Sequence, residues 1–166
     1  MGNIFKVKGK FRLIPFLISI FIPISGAFLI SRVFGDAAKI YYELDRPIFA
    51  PPAFIFPIVW IILYILMGFA CYRIYMIRDA GENTGTALFY YIIQLILNYF
   101  WYVLFFGLRL YGLSFVELII LFIFEIITFI KFIKLDKIAG FLLIPYILWT
   151  IFGGVLNFFI WMKNEM

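Results

Sequence analysis

The sequence predicts an all-α integral membrane protein in which residues 1–166 form one bundle of five transmembrane helices. The chain is 66% hydrophobic and 14% charged, with a mean hydropathy of +1.10, whereas soluble domains are about half apolar. Five apolar runs of about 20 residues follow one another, and this length crosses about 30 Å of hydrocarbon. The runs leave no length for a separate extramembrane domain.

The five predicted spans cover residues 13–30, 54–77, 87–108, 113–133 and 138–161. Basic residues precede the first span, as in a signal peptide, but its apolar run is long for one and no clean small-x-small cleavage site follows. We therefore expect a retained helix, bent at Pro23. The polar turn RDAGENTGT separates the second span from the third.

One long connection, SRVFGDAAKIYYELDRPIFAPP, joins the first two spans within residues 31–53. A connection of this length is typical of either a functional lid or a disordered segment. Tyr41, Tyr42 and Phe49 supply large anchoring side chains, and three prolines stiffen the backbone. These residues favour an ordered lid over the outer end of the bundle.

Lysine and arginine are distributed unequally between the two sides of the predicted bundle. Nine lie on the amino-terminal side, with Arg73 and Arg78 assigned to the loop after the second span, and five lie opposite. The positive-inside rule then predicts a cytoplasmic amino terminus and an external carboxyl terminus. The net charge of +5 thus orients helices, and we expect no nucleic-acid partner. The Ile- and Phe-rich composition without a targeting peptide favours a prokaryotic plasma membrane.

Several kinds of site are excluded by composition. Cys71 is the only cysteine and the chain has no histidine, so an intrachain disulfide, a zinc site and a Ser-His triad are all excluded. A bound porphyrin would also lack the usual imidazole ligand. We expect no metal and no resident cofactor.

The third span carries a polar and aromatic stripe. Gln94, Asn98 and Trp101 share one helix face, which continues through Phe105 and Leu108. Polar side chains within a span turn toward the bundle interior. The stripe could supply interhelical hydrogen bonds, or Asn98 could offer its amide to a carbonyl or carboxylate of a ligand beside Trp101.

Two further tryptophans, Trp60 and Trp149, lie within spans, where an indole N–H needs an acceptor. They are candidates for a pocket wall that also forms hydrogen bonds. Trp161, near Lys163, is predicted to lie in the interfacial aromatic belt. On the fifth span, glycines 153 and 154 beside asparagine 157 permit close approach of either a helix or a ligand.

Glu117 and Glu125 are eight residues apart and share a face of the fourth span. Glu117 lies near the loop that carries Arg109, which predicts an interfacial ion pair. Glu125 is near mid-membrane and should be protonated or paired. Two acids on one face would suit a proton path, but no basic residue lies deep in a span to complete a relay.

Four segments together resemble the translocator protein family, also called peripheral benzodiazepine receptors or tryptophan-rich sensory proteins. They are YYELDRPIFAPP, FPIVWIILYILMG, QLILNYFWYVLFFGLR and LLIPYILWTIF, and the resemblance extends over residues 25–164. It implies a five-helix bundle, commonly a homodimer, with a pocket beneath the first loop. In the family this pocket takes porphyrins such as protoporphyrin IX and synthetic isoquinoline carboxamides and benzodiazepines, and in mammalian members also cholesterol.

Carried over residue by residue, the resemblance implies a pocket wall of Phe49, Phe56, Trp60, Asn98, Trp101, Trp149, Gly153 and Leu156. Some bacterial members break down protoporphyrin in light, which makes Trp60 and Trp149 the candidate photochemical residues.

The chain departs from the family pattern at several positions. Tyr41 and Phe49 stand where the family has tryptophans. In the family's cholesterol-recognition element, Phe158 lacks the tyrosine hydroxyl, Met162 fills the basic position, and Lys163 comes one place late. Cholesterol binding is therefore not expected.

Together these observations predict a membrane receptor or sensor that binds porphyrins within the bundle. The alternatives are a light-dependent porphyrin-degrading enzyme and a transporter of tetrapyrroles or sterols. Porphyrin propionates are expected to reach Arg46, Lys39 or Arg32 on the lid side.

Overall fold

A computed structural model describes residues 4–34, 36–78 and 81–166. Its helices are α1 (Leu13–Val33), α2 (Ala37–Glu43), α3 (Ile55–Arg78), α4 (Gly85–Tyr102), α5 (Tyr111–Leu135) and α6 (Lys137–Asn164). All except α2 are long and apolar enough to cross a membrane. The predicted fold class, an all-α bundle with five transmembrane helices, is confirmed, and each predicted span overlaps one of these helices.

The five long helices are arranged in a ring. Helix α1 packs on α3, α3 on α6, α6 on α5, and α5 on α4, while α4 and α1 meet only loosely. Contact between α1 and α3 is close at Gly68, where a Cβ atom would lie 2.5 Å from the Ser19 carbonyl oxygen. Across the looser seam, the Tyr99 hydroxyl donates a hydrogen bond to the Pro23 carbonyl oxygen at 2.8 Å. The loose seam leaves space between α1 and α4 toward the lid.

The amino-terminal end of the bundle is closed by packed side chains and one ion pair. Tyr72, Ile74 and Phe132 have no exposed surface there. The guanidinium of Arg73 binds both carboxylate oxygens of Asp136, with Nε–Oδ1 at 2.9 Å and Nη2–Oδ2 at 2.8 Å. Its third hydrogen bond goes to the Ile4 carbonyl oxygen. The assignment of Arg73 to a loop was therefore wrong, because it is a buried residue of α3 that has an acidic partner.

Asp136 also caps α6 by accepting a hydrogen bond from the Ala139 N–H at 2.7 Å. Burial opposes ionisation of this carboxyl, but the hydrogen bonds from Arg73 and the backbone outweigh it and lower its pKa. The short α5–α6 link thus depends on an ionised side chain.

The connection after α1 contains the short helix α2, which was not predicted from the sequence. The Asp36 side chain caps it by accepting from the N–H groups of Ala38 and Lys39. Burial raises the pKa of Tyr41, so its hydroxyl is a stable donor to the Pro51 carbonyl oxygen at 2.8 Å. The Arg46 guanidinium lies 4.9 Å from the centre of the same ring. These contacts order the segment predicted to be a lid.

The end of α4 departs from regular α-helix. Residues Val103–Gly107 form a π-helical turn, in which the Leu108 N–H donates to the Val103 carbonyl oxygen at 2.8 Å. The wider turn rotates the following residue, and Leu108 is 55% exposed. The predicted stripe therefore ends at Phe105, and its extension to Leu108 was wrong.

Candidate functional site

A cavity of about 680 Å³ lies beneath the lid, between α1, α2, α3 and α4; we call it the outer cavity. Aromatic rings supply much of its wall. They come from the lid (Tyr41, Tyr42), from α3 (Phe56, Trp60, Tyr64) and from α4 and its π-helical turn (Tyr99, Trp101, Tyr102, Phe106). Asn98 is among the few polar groups there.

A smaller cavity of about 40 Å³, the inner cavity, extends toward α5 and α6. Trp149, Thr150, Gly153 and Leu156 line it from α6. Six residues contribute to both cavities: Tyr41, Phe56, Trp60, Asn98, Trp101 and Phe106. The two cavities are therefore neighbouring chambers of one pocket.

Seven of the eight residues predicted for the pocket wall line these chambers: Phe56, Trp60, Asn98, Trp101, Trp149, Gly153 and Leu156. Phe49 does not line either chamber. It is 44% exposed, and its ring packs edge-on against Phe159 with centroids 5.5 Å apart. In this structure Phe49 therefore lies outside the pocket, and the aromatic lid residues that line it are Tyr41 and Tyr42.

Asn98 joins three helices through two tyrosines. The Tyr64 hydroxyl of α3 donates to Asn98 Oδ1 at 2.7 Å, and Asn98 Nδ2 donates to the Tyr146 hydroxyl of α6 at 3.2 Å. The side chain is thus the interhelical link that one interpretation of the stripe proposed. One amide hydrogen has no partner among the described residues, so Asn98 keeps a donor at the boundary of both chambers.

Trp101 is held in place by α6. Its indole N–H donates to Asn157 Oδ1 at 2.9 Å, and Asn157 Nδ2 donates to the Tyr111 carbonyl oxygen at 2.9 Å. The Ser114 hydroxyl also donates to Asn157 Oδ1, at 3.1 Å. The sequence spacing of Asn157 did not decide whether it meets a helix or a ligand. In the structure it orients a pocket tryptophan.

Trp60 and Trp149 have a different environment from Trp101. The Trp60 ring stacks on Tyr64 at 5.3 Å, and Trp149 contacts Phe56 and Phe152. Neither indole N–H has a hydrogen-bond acceptor among the described residues. Both tryptophans can therefore still donate to a guest molecule in the pocket.

Gln94 lies one turn of α4 away from Asn98 and is 1% exposed. It borders neither chamber, and neither amide atom has a partner in the described part of the chain. Of the three residues that defined the stripe, only Asn98 and Trp101 reach the pocket.

The two acids of α5 are both buried. Glu125 is 2% exposed and accepts a hydrogen bond from Thr150 Oγ1 at 2.8 Å. This contact is compatible with the prediction that the Glu125 side chain is protonated or paired. Glu117 has no partner for either oxygen among the described residues. The predicted Arg109–Glu117 pair was wrong: Arg109 follows the π-helical turn with φ 55° and pairs with Glu43 of α2 at 3.2 Å.

Comparison with known proteins agrees with this architecture. Residues 19–162 match the sequence profile of the TspO/MBR family. The chain belongs to the TspO/MBR family. It is 37% identical over 130 residues to the tryptophan-rich protein TspO of Chlorobaculum tepidum, covering 77% of this chain and 81% of the relative.

Two further relatives come from distant organisms. The protein CrtK of Rhodobacter capsulatus is 31% identical over 124 residues, covering 75% of this chain and 78% of that protein. The human translocator protein is 33% identical over 147 residues, covering 86% of both chains. Membership establishes this TspO/MBR protein as an integral membrane protein.

The lid of this TspO/MBR protein is tied to the end of α6 by residues that sequence reasoning missed. Asn164 Oδ1 accepts from the Asp45 N–H, and Asn164 Nδ2 donates to the Asp45 carbonyl oxygen, both at 3.0 Å. The adjacent Glu165 carboxylate accepts from the Tyr111 and Gly112 N–H groups at 2.7 and 2.8 Å. No periodic signal links Asp45 to a residue 119 positions later.

The basic residues expected near a porphyrin's carboxylates lie within the lid segment, residues 31–53. Arg46 covers the rings of Tyr41 and Tyr42, and Arg32 lies 5.1 Å from the ring centre of Phe28. Lys39 is an exposed residue of α2. All three belong to the lid segment, and none of them lines either chamber.

Proposed function

We propose that this TspO/MBR protein is a membrane receptor or sensor that binds porphyrins, such as protoporphyrin IX, and related flat hydrophobic molecules in its pocket. The observation that carries the proposal is the outer cavity of about 680 Å³, which has aromatic walls and few polar groups. Pockets for small organic ligands typically enclose about 300–1,000 Å³ and combine apolar walls with a few polar groups.

The pocket suits a planar guest with a polar edge. Tyr41, Phe56, Trp60 and Trp101 offer flat surfaces from three structural elements. The remaining amide hydrogen of Asn98 and the indole N–H of Trp60 are donors at the same boundary. A carbonyl or carboxylate of the ligand would bind there, and propionates extending toward the lid would meet Arg46, Lys39 or Arg32.

A titration with protoporphyrin IX, followed by tryptophan fluorescence, tests the proposal. Wild type should bind saturably, and Asn98→Ala should raise Kd about tenfold, or about 1.4 kcal/mol. The matched control is Gln94→Leu, since Gln94 is buried on the same helix but outside the pocket. Absence of saturable binding by wild type would refute the proposal, and unchanged affinity in Asn98→Ala would restrict Asn98 to its interhelical role.

The same titration tests the contribution of the basic lid residues. Neutralising Arg32, Lys39 and Arg46 together with glutamine should weaken binding, whereas Lys163→Gln at the same end of the bundle should not. Equal affinity of wild type and the triple variant would exclude a role for these cations in holding propionates.

Light-dependent breakdown of the bound porphyrin is the second candidate function. Its support is the stack of Trp60 on Tyr64, since these are two redox-active rings beside the outer cavity. Illumination of the protein with protoporphyrin IX, with and without oxygen, separates this function from binding alone. An enzyme accelerates bleaching and loses that acceleration in Trp60→Phe or Trp149→Phe, while a receptor shows none.

We further propose a prokaryotic plasma membrane location with the amino-terminal end in the cytoplasm. The excess of basic residues at that end supports this orientation. Reporter domains fused in turn to the two termini test it, because only a fusion to the amino terminus should report a cytoplasmic position.

A further inference from the structure

Residues 4–12 form a small basic hairpin at the amino-terminal end of the bundle. Val7 and Lys10 exchange two backbone hydrogen bonds, with N–O distances of 2.9 and 3.0 Å. The two residues between them, Lys8 and Gly9, have φ angles of 47° and 79°. These angles are those of a type I′ turn, in which a lysine is less favourable than asparagine or glycine.

The basic hairpin is fixed to the helices. Val7 is 4% exposed and packs with Tyr72 and Met76 of α3. The Arg12 N–H donates to the Tyr72 hydroxyl at 3.0 Å, and the Arg73 guanidinium donates to the Ile4 carbonyl oxygen. Its lysines are therefore held in place at the start of α1.

Exposed apolar side chains lie beside exposed lysines in this hairpin. Ile4, Phe5 and Phe11 are 50%, 44% and 42% exposed. Lys6, Lys8 and Lys10 are exposed as well. Because Leu13 begins a transmembrane helix directly afterwards, we expect these residues at the level of the lipid headgroups. Aromatic and basic side chains together are typical of segments that anchor in this layer.

Among the described residues of this end, basic side chains outnumber acidic ones. Arg78, Lys131, Lys134 and Lys137 belong to the same end. Two acidic residues are described there: Asp136 is bound by Arg73, and Glu82 lies 3.8 Å from Lys8. Lys6 and Lys10 have no acidic partner among the described residues.

We propose that the basic hairpin binds the anionic headgroups of phospholipids in the adjacent leaflet. The ammonium groups of Lys6, Lys8 and Lys10 contact the lipid phosphates, while Phe5 and Phe11 lie at the boundary of the acyl chains. The exposure of these rings next to the start of α1 favours lipid as the occupant, since a soluble polyanion would gain nothing from them. A lysine at an anionic membrane surface strengthens binding about fivefold, or about 1 kcal/mol.

Purified protein is compared in phosphatidylcholine nanodiscs with and without phosphatidylglycerol, by native mass spectrometry of retained lipid and by thermal unfolding. Wild type should retain phosphatidylglycerol preferentially and unfold at a higher temperature in its presence. Lys6→Gln, Lys8→Gln and Lys10→Gln combined should lower that preference at least tenfold. The corresponding triple arginine variant, which keeps the charge, should retain it.

The matched control neutralises Lys131, Lys134 and Lys137 with glutamine, removing equal charge from the same end outside the hairpin. It should keep most of the preference. Equal losses in the two glutamine variants would show a general charge effect and overturn the proposal, as would an unchanged preference without the hairpin lysines. Unfolding in pure phosphatidylcholine, expected to be unchanged in every variant, verifies the fold.

Discussion

The two ends of the helix bundle differ in how they are closed. At the amino-terminal end, fully buried side chains and the Arg73–Asp136 pair leave a solid interior. At the lid end, α1 and α4 separate around the outer cavity, and a few hydrogen bonds and an exposed ion pair hold the cover. A bundle in lipid can thus combine a rigid base with an open upper half on the same five helices.

The largest expected effect comes from breaking the closed end. Arg73→Met removes one partner of a buried ion pair and leaves the Asp136 carboxylate without its main donors, which should cost about 3–5 kcal/mol of unfolding free energy. Thermal unfolding in detergent measures the loss, with Arg78→Met as an exposed control on the same helix. A variant as stable as wild type would show that the pair does not close this end.

The same pair predicts a pH dependence. Because the folded protein holds the Asp136 pKa below its usual value of 3.8, the contribution to stability is complete above that value. It is lost as pH falls through the lower pKa of the folded state. Wild type should therefore lose more stability on acidification below pH 3.8 than Arg73→Met does, measured by unfolding temperature. Parallel losses would contradict this prediction.

A pair of glycine substitutions compares a close helix–helix contact with the wall of the pocket. Gly68→Ala would place a methyl group 2.5 Å from the Ser19 carbonyl oxygen, forcing α1 and α3 apart. A loss of about 1–3 kcal/mol is expected from such overpacking. Gly153→Ala meets nothing within 4 Å, because it points into open space at the pocket, and should leave stability unchanged. Equal destabilisation by the two variants would remove the distinction between the packed contact and the open pocket.

The smallest effects are expected from the lid. Asn164→Ala removes both hydrogen bonds to Asp45 and should speed porphyrin release about fivefold, corresponding to about 1 kcal/mol. Arg109→Gln breaks only an exposed ion pair and should change the rate by less. Stopped-flow displacement measures both rates, with Lys163→Gln as the control. Unaltered release from Asn164→Ala would show that the lid is held elsewhere.

The sequence predicted features that depend on local pattern. The spans follow from apolar length, and the inward position of Asn98 and Trp101 follows from helical spacing. Spacing cannot identify the partner of an inward residue, so the tyrosines that bind Asn98 and the asparagine that binds Trp101 were missed. A prediction from spacing also assumes a regular helix. The outward rotation of Leu108 by the π-helical turn was therefore missed.

Other errors arose where contacts join distant segments. Arg73 was counted with the loop after the second span, and the sequence pattern could not identify its acidic partner, which is 63 residues away. Phe49 was expected in the pocket because lid residues were matched by order along the chain. The fold of the connection, and not the order of its residues, decides which lid side chains face the pocket. Helix α2 turns Tyr41 and Tyr42 toward it.

The tethering of the lid by Asn164 has a practical consequence for handling the protein. Asn164 is the last residue of α6, so an affinity tag joined shortly after this helix would pull on the cover of the pocket. Ligand exchange measured on such a fusion would report the tag as well as the protein. Purification handles for binding studies belong on a long spacer.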